Sequence, residues 1–558
     1  MVPCGCNVLG MGGEKARPMW SVVVLLLFVG QIQAICPARC KCNEDSLRVS
    51  CASGSLEVVP IQLNPEVRHI DLADNRISNV LFTFNFYSNL VSLDLSGNKI
   101  QSLGSMNFES QRNLKHLNLS GNEIETLWKD SLKGLCALAE LDLSLNRLEK
   151  ISVHAFRDLH SLEVLKLNGN QIVYLEESLF KSSTMLRVLL LENNQLLEIP
   201  TGAISDATNL NKLSLTNNLI VTVAEGEIPN LPLLESLQLN NNLIRDIHAG
   251  ALSGLTSLEF LDLSDNNFTA VPTVSLAKLS NLTKLKFSGN FINYIPPVAF
   301  KGLFQLRFLR LDRLEFLSRI DPRAFVDNIN LEKIWLDDNI AVETLPGRLF
   351  YGNPRITHIS IRNNQLATLD ASHFPLDQLK WLKLGRNPLE CNCSLLWLWR
   401  LEQEQKARSN ENETAISEEL FVDIDEISCA GPEPLDGVLL ADATESQVGC
   451  SLGWIAALSA VALTCFMLAI AVILLYCGPL KKHVKRNESP PSEAAQCPNG
   501  PALTLTYEDP RADKYIIGPP LIHEYRTLAP WDPYSKDCSD VYRQFDSAPK
   551  ARPHIVYV

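Results

Sequence analysis

Cysteines are the residues whose spacing most directly predicts a chemistry in this chain. They form two quartets, one on each side of a long middle region: Cys36, Cys40, Cys42 and Cys51 before it, and Cys391, Cys393, Cys429 and Cys450 after it. Cysteines this close together, in a chain that enters an oxidising compartment, are expected to form two disulfides per quartet. A zinc site is the alternative, which such a compartment disfavours. Spacing alone leaves the pairing within each quartet open.

The other reactive side chains match no enzymatic motif. His69, His116 and His358 are far apart in the sequence and lack the HxxxH spacing of a zinc site. The formal net charge of −13 argues against general nucleic-acid binding, because that requires a basic surface. We therefore predict no enzyme, with no catalytic residue, no bound metal and no cofactor.

Between the two cysteine quartets, one pattern, LxxLxLxxNxL, recurs throughout residues 67–389. The structure of this repeat must therefore determine where the side chains of the middle region lie. Its asparagine recurs about every 24 residues from Asn75 to Asn387, and one copy carries Leu314 instead. The LxLxx part alternates apolar and polar residues, which predicts a short strand with one buried face. The period predicts an α/β fold, a leucine-rich repeat solenoid of about 14 units with parallel strands on one side.

Each repeat has two further features with a structural meaning. We expect the asparagine at the turn after the strand, where its amide can bond backbone groups that the turn leaves unpaired. The outer, convex side is expected to be mostly irregular with short helices. It often ends in phenylalanine, as at Phe156, Phe300 and Phe325, which would refill the core.

The side chains around the two strand leucines of each repeat are predicted to point onto the concave face. In the early repeats these positions are mainly acidic: Asp71, Asp94, Asn118, Glu140 and Asp142. Exposed Trp, Phe and Arg dominate binding energetics, although such a sheet also tolerates any long side chain. In the late repeats we predict a partner-binding surface of basic and aromatic residues at Phe260, Lys284, Lys286, Phe308, Arg310, Lys333, Trp335, Arg362, Trp381 and Lys383.

Five N-x-S/T sequons predict where the surface carries N-linked glycans. They are Asn118, Asn267, Asn281, Asn392 and Asn412. A glycan on Asn118 would cover the early end of the concave face. This favours the late repeats as the place where a partner binds.

The ends of the chain predict a membrane topology. Residues 1–34 have the charged start and apolar run of a secretory signal peptide. Residues 454–476 lack charge and are long enough to cross a bilayer as a helix, and lysines follow at once, which places the repeats outside. The predicted segments are a signal peptide 1–34, an N-terminal cap 35–66, repeats 67–386, a C-terminal cap 387–450, a transmembrane helix 453–477 and a disordered cytoplasmic tail 478–558.

The CxxxCxC module before the repeats, the repeats and the NPLxCxC module after them resemble extracellular leucine-rich repeat transmembrane proteins with cysteine-rich caps. Leucine-rich repeat transmembrane neuronal proteins, Slit proteins and Toll-like receptors share this arrangement. The resemblance covers residues 36–450. It implies the pairings Cys36 with Cys42, Cys40 with Cys51, Cys391 with Cys429, and Cys393 with Cys450.

The expected function is that of a single-pass type I receptor or adhesion protein of the plasma membrane, with a protein ligand. Two alternatives remain: an innate-immune pattern receptor without its own signalling domain, and an auxiliary subunit of another membrane protein. The apolar residues Val556 and Val558 occupy alternate positions at the chain end, which predicts a ligand for a cytoplasmic PDZ scaffold.

Overall fold

A computed structural model of the chain describes residues 36–409, 420–423, 426–449 and 453–477. The chain divides into two units, Met1–Thr464 and Cys465–Val558, and the second is described only as far as Cys477. Several predictions concern residues outside this description: the signal peptide 1–34, the sequon at Asn412, Cys450, and the tail 478–558 with Val556 and Val558.

A 17-stranded sheet runs through the repeats. Its first two strands pair antiparallel, and each later strand lies parallel to its neighbours, so that Phe260 is opposite Lys284 and Asp262 is opposite Lys286. In chain order the strands are Lys41–Asn43, Arg48–Ser50, His69–Asp71, Ser92–Asp94, His116–Asn118, Glu140–Asp142, Val164–Lys166, Val188–Leu190, Lys212–Ser214, Ser236–Gln238, Phe260–Asp262, Lys284–Lys286, Phe308–Arg310, Lys333–Trp335, His358–Ser360, Trp381–Lys383 and Phe421–Val422.

The core is a stack of equivalent side chains from successive repeats. The middle residue of each repeat strand is buried, as at Leu261 and Leu285. Phenylalanines from the outer side close the core, and neighbouring rings are stacked: the centroids of Phe300 and Phe325 are 5.9 Å apart, and those of Phe325 and Phe350 are 6.2 Å apart. The prediction that these phenylalanines refill the core is confirmed. Each repeat buries its apolar side chains only with help from its neighbours.

The repeat asparagines form a buried ladder. The Nδ2 of Asn98 donates to the carbonyls of Leu72 and Leu95 at 2.9 and 3.0 Å, and its Oδ1 accepts from the N–H of Ile77 at 3.0 Å. The other ladder asparagines are also buried. The amide thus satisfies backbone groups of two adjacent repeats, as predicted, and fixes the spacing between them.

Leu314 interrupts this ladder and is fully buried. In the next repeat the Oδ1 of Asn339 accepts from the N–H of Leu314 itself, at 2.7 Å, and Asn364 accepts in the same way from Asn339 at 2.8 Å. In earlier repeats the accepted N–H lies two residues further along the chain, as for Phe268 and Asn290. The ladder therefore resumes after Leu314 with a shifted register.

The outer side has little regular structure. Three pairs of two-residue strands lie beside the main sheet in parallel register. These pairs are Thr126–Leu127 with Lys150–Ile151, Thr222–Val223 with Asp246–Ile247, and Tyr294–Ile295 with Arg319–Ile320. The short helices are Thr201–Ile204 and Thr273–Leu276, with 3₁₀ turns at Thr83–Phe86 and Ala371–His373.

The N-terminal cap covers the first repeat. Cys36 is bonded to Cys42 and Cys40 to Cys51. The strand Arg48–Ser50 continues the main sheet through its parallel pairing with His69–Asp71. The cap therefore supplies the layer that the first repeat would otherwise lack.

The C-terminal cap closes the other end. Cys391 is bonded to Cys429, and the strand Leu389–Glu390 pairs with Cys429–Gly431. The indole N–H of Trp399 donates to the carbonyl of Ala443 at 2.8 Å. The cap also contains the helices Leu396–Ser409 and Glu445–Val448 and the 3₁₀ turns Cys393–Leu395 and Leu440–Asp442. Three of the four disulfides that the resemblance implied are thus present, and the fourth involves Cys450, which is not described.

The last described element is a 25-residue helix, Gly453–Cys477, in the segment predicted to cross the membrane. Its side chains are described for residues 458–473. Among the residues whose side chains are described, which in this helix are residues 458–473, no helix is both long and apolar enough to span a bilayer.

Candidate functional site on the strand face

The outward side chains of the main sheet form what we call the strand face, which is the predicted concave face. Its late patch comprises the outward residues of the strands from Phe260–Asp262 to Trp381–Lys383. Nine of the ten residues predicted to bind a partner lie there, half-buried or exposed: Phe260, Lys284, Lys286, Phe308, Arg310, Lys333, Trp335, Trp381 and Lys383.

Cations and aromatic rings alternate from strand to strand in the late patch. The ammonium of Lys284 lies 5.0 Å from the ring centroid of Phe260, and that of Lys333 lies 5.9 Å from the centroid of Phe308. The guanidinium carbon of Arg310 lies 4.9 Å from the centroid of Trp335. These distances are those of cation–π contacts, which hold the positive groups in place without neutralising them.

The cations of the late patch differ in how far carboxylates neutralise them. Lys286 is 2.9 Å from the buried Asp262, and Arg310 is 3.8 Å from Asp312. Lys284 and Lys333 form no salt bridge with any residue in the described ranges. These cations surround an open depression of about 490 Å³, lined by Lys284, Leu285, Lys286, Phe308, Arg310, Lys333 and Trp335.

Asp312 lies beside Arg310, one of the residues that line this depression. It accepts the backbone N–H of Asp337 at 3.1 Å. Burial raises the pKa of Asp312 to about 6, because the hydrogen bond from Asp337 and the charge of Arg310 only partly offset the desolvation of the carboxylate. The charge of the late patch therefore changes within the physiological pH range.

An aromatic stack ends the strand face. The ring of His358 stacks on Trp381 with centroids 6.0 Å apart, and Trp381 in turn contacts Phe421 at 4.6 Å. Burial, followed by the charges of Lys333 and Lys380, lowers the pKa of His358 to about 4, so that this side chain is a neutral ring at pH 7. Phe421 was absent from the sequence prediction, because it follows a polar stretch and reaches the sheet only through the fold.

Arg362 is the exception among the predicted residues. It lies two residues beyond the strand His358–Ser360, whereas the other nine lie on strands, and its role in partner binding stays a prediction. Its Nε is 3.1 Å from a carboxylate oxygen of Asp423, and the guanidinium also contacts Glu426. Asp423 accepts the backbone N–H of Leu384 at 2.6 Å. Arg362 therefore joins the last repeats to the C-terminal cap.

The early end of the strand face uses its acidic groups internally. Lys166 lies 2.7 Å from Glu140 and 3.4 Å from Asp142. Asp94 accepts from the amide of Asn118 at 3.1 Å, and Asp71 accepts from the hydroxyl of Ser50 at 2.8 Å. The hydrogen bond from Lys166 is the main reason that the pKa of Glu140 is lowered.

The sequons differ in exposure. Asn281 is exposed, whereas Asn118, Asn267 and Asn392 are half-buried. Asn118 lies on the early strand face, as predicted, and its Oδ1 accepts from the hydroxyl of Ser120 at 2.8 Å. Glycosylation of these residues stays a prediction.

A metal site would need a cluster of ligating side chains. In the described ranges, no group of three or more His, Cys, Asp or Glu residues could hold a metal ion. The strand face presents charged groups, aromatic surface and hydrogen-bonding groups.

Comparison with known proteins gives short sequence matches within the repeats. Five stretches match the family described as Leucine rich repeat: 88–148, 136–196, 208–268, 261–313 and 329–389. Human oligodendrocyte-myelin glycoprotein is 32% identical over 80 residues, which are 14% of this chain and 18% of that protein. Mouse Tsukushi is 31% identical over 106 residues, 16% of this chain and 30% of that protein. Mouse chondroadherin is 40% identical over 65 residues, 12% and 18% of the two chains. The chain thus spans less than a third of the length of each of these relatives.

Solved structures share the fold over a longer part of the chain. The Toll–Spätzle complex from Drosophila has a TM-score of 0.55 and 22% identity, covering 69% of this chain and 59% of that chain. A leucine-rich repeat protein of Leptospira interrogans has a TM-score of 0.51 and 22% identity, covering 67% and 94% of the two chains. At this level of identity the likeness concerns the fold alone.

Proposed function

Because the chain belongs to the leucine-rich repeat family, with disulfide-bonded caps at both ends of its repeats, we propose that it is a single-pass type I cell-surface receptor or adhesion protein. Its family is related to extracellular receptor and adhesion proteins, which is consistent with protein binding. The partner is a protein, and it binds to the late patch.

One observation carries this proposal: the late patch presents two lysines that no described carboxylate neutralises, beside aromatic rings that stay partly exposed. Lys284 and Lys333 contact rings rather than carboxylates. Trp381 remains 42% exposed, although a tryptophan on a surface with no further role would gain stability by burial. Aromatic and cationic side chains of this kind are the usual anchors of protein interfaces.

The comparisons support a protein as the ligand. In the Drosophila structure with the same fold, Toll is in complex with Spätzle. A solenoid of this kind therefore forms a complex with a partner in at least one case. The late patch offers apolar area for affinity and charge for orientation.

The membrane anchor rests on the sequence. Residues 454–476 contain no charged side chain. As a helix of about 1.5 Å per residue, they would extend roughly 35 Å, more than the ~30 Å hydrocarbon core of a bilayer. The lysines at 481 and 482 favour a cytoplasmic tail by the positive-inside rule. Val556 and Val558 would then be placed to bind a PDZ scaffold through the free C-terminus.

The topology is tested with two tags on the full chain. An epitope inserted after Ala34 should bind antibody on intact cells, and an epitope inserted before Ala548 only after permeabilisation. The opposite result would reject the type I assignment. Deletion of Val558 should end the recovery of PDZ proteins by the tail if the C-terminal motif is used.

The binding function is tested by a screen. Cells that display the full chain are incubated with a library of tagged secreted and ectodomain proteins. Captured proteins are tested again on cells that display Lys284→Gln together with Phe308→Ala. The matched control is Lys212→Gln, which changes a lysine at the same position of an earlier strand. Loss of capture with the double variant alone is the expected result, and capture unaffected by it would move the binding site elsewhere.

A partner in the same membrane would bind in a different way. It would co-purify with the full chain from one cell but would not be captured when presented from another cell. That result would replace the adhesion role with that of an auxiliary subunit.

A further inference from the structure

The geometry of the late patch points to the chemistry of its partner, and this inference rests on the proposed function. We propose that the late patch binds an acidic segment of the partner protein, in which two carboxylates flank an apolar side chain. The carboxylates pair with Lys284 and Lys333, and the apolar side chain packs on Phe308 between them.

The first step concerns charge. Of the four cations around the depression, Lys286 is paired with Asp262 and Arg310 lies beside Asp312. Lys284 and Lys333 remain without a carboxylate among the described residues. An incoming anion therefore gains most at these two lysines, because it does not have to displace an existing ion pair.

The second step concerns preorganisation. Lys284 lies near the ring of Phe260, and Lys333 near the ring of Phe308. A lysine held against a ring has already lost part of its rotamer freedom, so less entropy is lost when an anion binds. A ring does not neutralise the lysine, so the positive charge stays available to a ligand. A carboxylate within the fold would neutralise it.

The third step concerns spacing. The strands of Lys284 and Lys333 are separated by one strand, Phe308–Arg310. Since neighbouring strands lie about 4.8 Å apart, the backbones that carry the two lysines are roughly 9.6 Å apart. In a polyproline II segment, residues three apart share one side and are separated by about 9.3 Å. Acidic residues at positions i and i+3 therefore match the two lysines.

The fourth step distinguishes a protein from a sulfated polysaccharide. A polysaccharide is recognised mainly by cations, and rings between them contribute little to binding a highly charged polymer. In the late patch, Phe308 lies on the strand between those of the two lysines, and both Phe308 and Trp335 line the depression. This combination favours a peptide with apolar side chains between its charges.

The test uses purified full-length chain and fluorescein-labelled ten-residue peptides. The first peptide has glutamate at i and i+3 with leucine at i+1 and i+2. The second has glutamine at both acidic positions, and the third has the two glutamates adjacent. We expect the first to bind at least tenfold more tightly than the other two by fluorescence anisotropy, with affinity falling as salt is raised.

Variants assign the effect to the two lysines. Lys284→Gln with Lys333→Gln should reduce the binding of the first peptide to the level of the second, whereas Lys212→Gln should leave it unchanged. Equal binding of the glutamate and glutamine peptides would overturn the proposal. Tight binding of heparin that the lysine pair controls, with no peptide binding, would overturn it in favour of a polysaccharide.

The failure of this inference is separable from that of the proposed function. If a captured partner is lost on cells that display Phe308→Ala alone but retained on cells that display Lys284→Gln with Lys333→Gln, the acidic segment is rejected and the late patch remains the binding site. If no captured protein depends on any of these residues, both proposals fail.

Discussion

The early and late ends of the strand face are built on the same backbone but treat charge in opposite ways. At the early end, Lys166 is shared by Glu140 and Asp142, and Asp94 is bonded to Asn118. At the late end, Lys284 and Lys333 contact rings and no described carboxylate. The repeat spacing determines which outward side chains are neighbours on adjacent strands. The residue types at those positions then decide whether a cation lies beside a carboxylate, as at the early end, or beside a ring, as at the late end.

This difference shows how a repeat protein separates stability from binding. The leucine core and the asparagine ladder are nearly constant along the repeats, so the strand face can vary with little effect on folding. Charges satisfied within the fold make the early end a poor site for a ligand. Charges held in position but not neutralised support the proposal that the late end binds a ligand. The predictions below test this contrast, starting with the largest expected effect.

The late end depends on its connection to the C-terminal cap through Arg362. Arg362→Ala leaves Asp423 without its cationic partner, and the side chain of Asp423 is only 9% exposed. We expect a loss of about 2–4 kcal/mol in the free energy of unfolding of the last repeats, because a buried carboxylate without a partner is strongly unfavourable. Hydrogen exchange at Leu384 and Gly385, whose N–H groups bond Asp423, measures this directly.

Arg386→Ala is the matched control. Arg386 is 69% exposed and, among the described residues, forms a salt bridge with Glu426 alone. Its removal should change stability by less than about 0.5 kcal/mol, as is usual for an exposed ion pair. Equal effects of the two substitutions would show that Arg362 does not connect the repeats to the cap.

The second prediction concerns the aromatic surface of the late end. Trp335→Ala should weaken the binding of a captured partner by about 1–3 kcal/mol, because it removes the ring that lies against Arg310 and lines the depression. Titration of the partner on cells displaying each variant gives the affinity. Trp128→Ala changes an exposed tryptophan away from the strand face and should have no effect. Equal loss in both variants would contradict the contrast between the two ends.

The sequence predicted most of the fold because the repeat pattern determines which side chains of each unit are buried and which face outward. Once the LxxLxLxxN pattern is aligned, the central leucines must be buried and their neighbours must face outward. This reasoning placed Phe260, Lys284 and Trp335 on the strand face, where they lie. The cation–π contacts follow from the same register, since they join residues of adjacent repeats.

The sequence did not predict the contacts made by segments that lack the repeat. Arg362 contacts Asp423, and Trp381 contacts Phe421. Asp423 and Phe421 belong to the C-terminal cap, where no repeat period predicts which residues come together. The raised pKa of Asp312 also depends on burial in the solenoid rather than on nearby residues in the chain. Local spacing carries no information about any of these.

The third prediction uses pH to sharpen the contrast. Asp312 is ionised at pH 7.5 and takes up a proton as the pH falls through about 6, so the late patch becomes more positive. Peptide glutamates, with a pKa of about 4.3, remain charged at pH 5.5. The peptide with glutamates at i and i+3 should therefore bind about two- to threefold more tightly at pH 5.5 than at pH 7.5, as expected for one added charge in a largely solvated site.

Asp312→Asn should remove this dependence and bind at pH 7.5 as tightly as the native chain does at pH 5.5. Asparagine can still accept the N–H of Asp337, so the backbone contact is retained. The histidine of the late end, His358, has a pKa of about 4 and stays neutral across this range. A pH dependence that persists in Asp312→Asn would assign it to another group.

The smallest effect is expected at the early end. Lys166→Gln removes the cation shared by Glu140 and Asp142, and all three side chains are partly exposed. We expect a loss of about 0.5 kcal/mol at pH 7, as for other solvated ion pairs. Because the pKa of Glu140 is lowered by Lys166, this stabilisation is present above the unfolded pKa of about 4.3 and is lost as the pH falls through the lower folded pKa. Urea unfolding should thus show a small difference in stability between the native chain and this variant at pH 7, which disappears near pH 3.

Partner binding should not change in the Lys166→Gln variant. A clear loss of binding would mean that the early carboxylates act together with the late patch, and the contrast between the two ends would then have to be abandoned.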